Sequence, residues 1–355
     1  MLLLALLLFT GGSHYLRDAV ANHVYDPGVP RFLFVPVVAL LYATAVALAH
    51  EVVALPLAFF TGFVLERRYG LSRQSAGQWC RDHLKALVLG LLFAGLSAGF
   101  VYLTLMLWPG WWWLVATAAA VAVSVMLTWL APLVLIPLFF TLAPLENDSL
   151  RDRLTSLCGR IGAGPTDIYE WRLSTKTSRA NAALIGFGQT RRILLSDTLV
   201  SDYSADEIEV ILAHELSHHV SYDIWWALAL EAVVVGTGFW AGSVVLRWLV
   251  PWVGLDGVAD VAGSPVLVLS AMSVSAMSLP LLNAISRWRE RRADQFALDM
   301  TRNPAAFTSA MKRLGASNVA EEDPPAFARL FFYTHPPLGD RLQFAREWAS
   351  RHPDA

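Results

Sequence analysis

The sequence predicts a mainly α-helical membrane protein. Its kinked transmembrane helices surround a folded segment outside the bilayer that holds a small antiparallel β-hairpin or sheet. Three observations carry that reading. Of 355 residues, 55% are hydrophobic and only 16% charged, whereas water-soluble domains carry about 25% charged residues. Mean hydropathy is +0.48, with 14 Trp. The apolar residues come in long runs interrupted by prolines, as spanning helices tolerate, and the runs stop near residue 142 and resume near 224. A lipid bilayer is therefore a required partner. The net charge of −2 and the lack of basic residues interleaved with aromatic ones leave no footprint of a nucleic-acid partner.

Taken in order, residues 2–9 are apolar but too short for a span, which needs about 20 residues. No basic stretch precedes them and no clean small-residue cleavage site follows, so a stunted first helix or a late start fits better than a signal peptide. The first secure span covers residues 34–65, with Pro36 and Pro56 as kinks. His50 and Glu51 inside it are costly in lipid, so they either line a polar cavity or pair with another helix. Arg67, Arg68, Arg73, Arg81 and Lys85 make the next loop basic. A span at 84–107 leads to an uncharged aromatic turn at 108–113, and a return span interrupted by Pro132 and Pro137 runs to about 142. Residues 143–223 read as water-exposed: a helix over 147–161 ended by Gly162, Gly164 and Pro165, a strand at 168–173, and a hairpin of 180–187 and 191–196 around Gly188-Gln189-Thr190. Ser204 followed by Glu207 is a capping box, so a helix starts there.

Span 224–250 contains Glu231, and the loop at 251–265 carries Asp256 and Asp260 but no basic residue. The last span, 266–285, is broken at Pro280, and short helices follow. The chain thus divides into spans at 1–142, a catalytic segment at 143–223, a helix pair at 224–286 and a C-terminal segment at 287–355. Lys and Arg concentrate at 66–85, 143–223 and after 285, while 108–113 and 251–265 have none. The positive-inside rule places the polar segments in the cytoplasm and residues 12–31 outside, in the plasma membrane if the source is bacterial. Cys80 and Cys158 fit no metal spacing and read as free thiols.

The chemistry centres on His214-Glu215-Leu216-Ser217-His218, within the capped helix. Residues four apart share a helix face, so His214 and His218 can hold one Zn²⁺ while Glu215, one step round, reaches water that the metal acidifies. Adjacent His219 reads as a bystander. A third ligand is found in Ser286-Arg287-Trp288-Arg289-Glu290-Arg291-Arg292-Ala293-Asp294. Headgroup contacts explain the arginines, but not an acidic pair at i and i+4. Glu290 is the expected ligand, and Asp294 the acceptor for the outer N–H of a ligating histidine. The polar segment is thus a zincin-like catalytic domain.

These residues give the chain a resemblance to the membrane-embedded zinc metalloproteases that include the type I CAAX prenyl proteases, over about residues 34–344. Leu55-Pro56-Leu57 and Phe63-Val64-Leu65-Glu66-Arg67-Arg68-Tyr69-Gly70-Leu71 look like that family's second span and the loop after it. Residues 131–145 look like its entry to the catalytic domain. The resemblance implies that Asn181 and Ala182 hold the substrate, and that His335 and Arg341, in Thr334-His335-Pro336-Pro337 and just beyond, are transition-state donors. It implies a zinc metalloendopeptidase acting on peptides or membrane proteins, prenylated CAAX-type substrates or quality-control substrates among them. Glu215 would take a proton from water and return it to the leaving amine, with His214, His218 and Glu290 on the metal and Asp294 behind them. The family's seven spans exceed the spans read here, because residues 2–9 are stunted. Two other classes compete: a zinc-binding receptor or scaffold without turnover, which would not need Glu215, and a transporter, for which no inverted repeat is visible.

Overall fold

The computed structural model describes residues 1–163, 167–319 and 321–354. From the N-terminus, α1 (Leu2–Phe9) and α2 (Gly12–Val24) precede α3 (Arg31–Arg68), α4 (Ala76–Leu107) and α5 (Trp112–Phe139). Then come β1 (Leu142–Pro144), α6 (Asp148–Ile161), β2 (Asp167–Trp171), β3 (Ala182–Ile185), β4 (Arg192–Ser196), α7 (Asp197–Asp202) and α8 (Ala205–Val220). The chain continues through α9 (Asp223–Leu249), α10 (Ser264–Thr301), α11 (Pro304–Ser317), α12 (Ala326–Phe332) and α13 (Leu338–Arg351).

Among the described residues, α3, α4, α5, α9 and α10 are long and apolar enough to cross a bilayer. At eight residues, α1 is about 12 Å long, well short of the hydrocarbon core of about 30 Å. Proline removes a backbone donor and crowds the preceding turn. Helix α3 answers Pro56 with a π-helical stretch at Phe60–Leu65, and α5 does the same around Pro132 at Ala131–Leu135. Pro280 is absorbed within α10, which runs on for 38 residues.

Two compact units are formed. The first comprises residues 1–62, 76–123 and 228–278. Its core includes Val38, Tyr42, Tyr102, Leu105, Trp112, Leu246 and Leu267. Helix α4 meets α3 through glycines: a Cβ on Gly99 would lie 3.2 Å from the carbonyl oxygen of Pro36, a tight contact that glycine relieves at this backbone approach. Residues 12–24, which the sequence leaves as an outside loop, form α2. Its Ser13 Oγ donates to the Ala262 carbonyl at 2.6 Å, and its Arg17 pairs with buried Asp260 at 2.6 Å. Leu16, Val20 and Val24, four residues apart along one side of α2, pack against the unit's core beside these polar contacts. Of the two settings open to Glu51, pairing is observed: its Oε1 is 2.6 Å from His83 Nε2 on α4, and His83 stacks on Trp79.

The second unit comprises residues 63–75, 124–227 and 279–355. Its sheet has the order β1-β2-β4-β3. The expected hairpin is β3 and β4, antiparallel with Ala182 opposite Leu195. The sheet as a whole is mixed, because β2 and β4 run parallel. The reason lies in β4: Ile193, Leu194 and Leu195 are all 0% exposed. A strand apolar on both faces is stable only at the centre of a sheet, so β4 takes β2 as a second partner and β3 is left at the edge among the described residues. Strand β1, three residues ending in Pro144, is too short to show a period.

The α3–α4 connection is part of this second unit and runs beside the sheet. Ser72 bridges Thr177, and Arg179 reaches Glu66 at 2.9 Å. Asn147 caps α6 and left-handed Gly162 ends it; Gly164 and Pro165 lie outside the described residues. Leu154, Leu157, Ile193, Leu212, Leu216 and Phe307 fill the core.

The capping box at the start of α8 forms as expected: Glu207 N–H donates to Ser204 Oγ at 3.3 Å, and Glu207 Oε2 accepts from Ser204 N–H at 2.8 Å. Buried Glu207 also accepts from Ser309 at 2.6 Å and Arg313 at 3.2 Å on α11. Burial opposes its charge, but these donors outweigh burial and hold the carboxyl below its ordinary 4.5. A depressed folded-state value means stability that is present above the unfolded value and lost as pH falls below it. Wild-type melting temperature should therefore drop more steeply than that of Glu207→Gln as pH falls from about 5 to about 3. Parallel slopes would show that Glu207 carries no such linkage.

Candidate metal centre

Helix α8 presents His214 and His218 one turn apart, with ring centroids 5.1 Å apart and planes nearly perpendicular. Continuous α10 carries Glu290 to the same place. Glu290 Oε2 is 3.1 Å from His214 Nε2, and its Oε1 is 3.5 Å from His218 Nε2. The three ligand atoms lie within 4.8 Å of one another. Two imidazoles and one carboxylate converging on a point are the donor set of a metal hydrolase, so these residues fit a metal ion.

Behind each imidazole stands a carboxylate. Asp294, 1% exposed and one turn beyond Glu290, places Oδ1 2.9 Å from His214 Nδ1. Arg341 grips Asp294 with two bonds, Nε at 2.8 Å and Nη2 at 2.5 Å. On the other side, Asp223 Oδ2 is 2.8 Å from His218 Nδ1, and its Oδ1 pairs with Arg289. Burial works against a charge on His214, but the bonds to Asp294 and Glu290 outweigh it and raise the imidazole to about 9. Glu215 is raised by burial, against the pull of His214 and His218. Burial and the nearby Arg191 lower His219, whose Nε2 is 2.5 Å from that guanidinium. It takes no part in the cluster, as expected of a bystander.

The other expected residues lie as follows. His335 Nδ1 is 2.8 Å from Glu290 Oε2, so His335 reaches the cluster through the carboxylate. Arg341 engages Asp294. Asn181 stands just before β3, its N–H on Ser196 Oγ and its carbonyl accepting from Ser196 N–H, both at 2.9 Å. Ala182 opens the edge strand and is buried in the same core as Ala213 and Leu216 of α8.

Asp223 escaped the sequence reading, in which it only closes the polar segment before an apolar run. It directly follows Tyr222, a non-glycine residue at φ +56 in the short turn between α8 and α9. The usable signal was an aspartate just past the second histidine, together with a basic neighbour of Glu290.

Known proteins resemble this chain in sequence and in fold. Residues 144–349 match the family model described as peptidase family M48, and residues 1–141 match the one described as CAAX prenyl protease N-terminal, five membrane helices. The Bacillus subtilis protein named "Uncharacterized metalloprotease YhfN" is 28% identical over 320 residues, covering 88% of this chain and 75% of its own. A CAAX prenyl protease 1 homolog of Oryza sativa is 26% identical over 317 residues, covering 85% and 72%. The crystal structure of S. mikatae Ste24p shares the fold, with a TM-score of 0.81 at 21% identity over 96% of this chain and 82% of that one. Its M48 match spans more than half of the chain and its apolar helices are those of a multi-pass membrane protein, so this protein belongs to peptidase family M48 and is a membrane-embedded metalloprotease.

Proposed function

We propose that this protein is a zinc-dependent metalloendopeptidase that cleaves membrane-associated peptides on the cytoplasmic side, with His214, His218 and Glu290 as the zinc ligands. The observation that carries this reading is the convergence of those three donors, with the outer nitrogen of each imidazole on a carboxylate. When bound, zinc supplies Lewis-acid polarisation and acidifies water. Glu215 is the general base. Its raised carboxyl, beside both histidines, is closer to neutral pH than an ordinary carboxylate, which suits a group that must first take a proton and then give it up. It takes the proton from water and returns it to the leaving amine.

Charge developing on the scissile carbonyl oxygen is met by His335 and Arg341. Arg341 spends Nε and Nη2 on Asp294, so its part at that oxygen falls to Nη1. Asp294 acts through His214. The substrate lies extended along Asn181 and Ala182 as an added strand at the edge of the sheet. Prenylated CAAX-type peptides are the substrate class suggested by the name of the Oryza sativa relative. The cytoplasmic side follows from the basic loops, at the plasma membrane of a bacterial cell.

Metal analysis tests the reading. Purified protein should carry about one zinc per chain and cleave farnesylated or plain reporter peptides, losing activity to a chelator and regaining it with zinc. Glu290→Ala should lose most of its zinc. Full zinc retention by that variant would reject Glu290 as a ligand, and a zinc-free wild type would reject the whole site.

A further inference from the structure

We infer that Asp223 and Arg289 form a positioning pair that holds His218 in its metal-binding tautomer, an inference that rests on the reading of His218 and Glu290 as ligands. Neither residue belongs to the donor set or to the proton-transfer step. Four features of the structure converge on this role.

The first is the direction of the hydrogen bond. Asp223 Oδ2 lies 2.8 Å from His218 Nδ1, while His218 Nε2 points to Glu290. An ionised carboxylate only accepts, and a neutral imidazole carries one N–H. The proton is therefore held on Nδ1, and the lone pair of Nε2 is turned towards the cluster. The opposite tautomer would put an N–H where a metal must bind.

The second is how fully Asp223 is used. An acidic residue in the first turn of α9 would be explained by the helix dipole alone. Here one oxygen is on His218 and the other on Arg289, so the carboxylate is spent across to α8 and α10. Arg289 is the immediate neighbour of Glu290, and its guanidinium lies over the Trp226 ring at 5.7 Å. One turn of α10 thus delivers a ligand and the group that steadies the other ligand's partner.

The third is correspondence with the other imidazole. His214, Asp294 and Arg341 repeat the order His218, Asp223 and Arg289. The two sites differ in packing: the His214 side chain is 8% exposed and that of His218 is 27% exposed. With fewer neighbours around its ring, His218 depends more on the hydrogen bond for its orientation.

The fourth is the backbone. Tyr222, at φ +56, occupies the left-handed region, which is unfavourable for an L-residue. That strained turn is what brings Asp223 under His218, and strain of this kind persists where the surroundings impose it.

The test compares wild type, Asp223→Asn, Asp223→Ala, Arg289→Met and Arg289→Lys, with Glu290→Ala as control. The readouts are Zn²⁺ affinity by chelator competition and the visible spectrum of the Co²⁺-loaded protein. Removing such a partner typically costs about 10–100-fold in metal affinity, and that loss is expected for Asp223→Ala. Asp223→Asn, which keeps an acceptor oxygen but no charge, should fall between it and wild type. Arg289→Met should weaken binding, and Arg289→Lys should recover most of it. The Co²⁺ spectrum should change in Asp223→Ala, and kcat should fall with KM unchanged. Should Asp223→Ala not fold, the isosteric Asn and the Arg289 pair decide the question. Wild-type affinity and an unchanged spectrum in the Asp223 and Arg289 variants, with metal still lost in Glu290→Ala, would overturn the positioning role and leave the ligand set standing. Absence of metal from wild type would instead mean that the ligand reading itself is wrong.

Discussion

Glu215→Gln is expected to lower peptide turnover by about 10²–10⁴-fold, the range for losing a general base, while zinc content stays at the wild-type level. The substitution keeps the size and hydrogen-bonding shape of the side chain. It removes only the ability to take up and release a proton. Glu215 is not among the three grouped donors, so the metal should remain. It is half-buried beside His214 and His218, and burial raises its carboxyl; replacing it with a neutral amide therefore leaves no buried charge unpaired and should not harm folding. The measurements are kcat/KM on a reporter peptide and zinc per chain. Near-wild-type cleavage by zinc-loaded Glu215→Gln would remove Glu215 from the chemistry. Inactivity of both proteins on every peptide tried, with zinc bound, would favour the silent receptor or scaffold.

Ala182→Pro is expected to collapse cleavage of extended peptides, by about 10²-fold or more, without loss of zinc or of the fold; that figure corresponds to about 3 kcal/mol of lost substrate pairing. Both backbone groups of Asn181 turn to Ser196. In an antiparallel pair the groups of alternate residues point opposite ways, so those of Ala182 point to the open edge, where an added strand would bond. Proline there deletes the outward donor and spares the ladder to β4. Ala183→Pro is the matching control: its backbone points to Leu194 on β4, and its loss should destabilise the sheet itself. Unchanged turnover in well-folded Ala182→Pro would move the substrate to another surface.

Much of this was legible from local pattern alone. The spans follow from run length, and the capped start of α8 from Ser204 and Glu207. The i, i+4 spacing sets His214 beside His218 and Glu290 in line with Asp294, because a helix converts spacing directly into a shared face. These relations hold within a few turns, where no other part of the chain is needed to define them.

What the tertiary structure decided are the relations between distant segments. His214 and Glu290 stand 76 residues apart in sequence, and only the folding of α8 and the end of α10 into one unit brings Nε2 and Oε2 together. Arg341, expected at the substrate oxygen, is drawn first to Asp294, because a buried carboxylate needs a paired donor. The partner strand of β4 depended on burial of both its faces, and the docking of α2 on the distant partners of Ser13 and Arg17, Ala262 and Asp260. Asp223 depended on the most local cause of all, the left-handed turn at Tyr222, a conformation that no tyrosine would be expected to adopt from its own preference. Once that turn is made, the aspartate that ends one polar segment becomes the support of a histidine five residues before it.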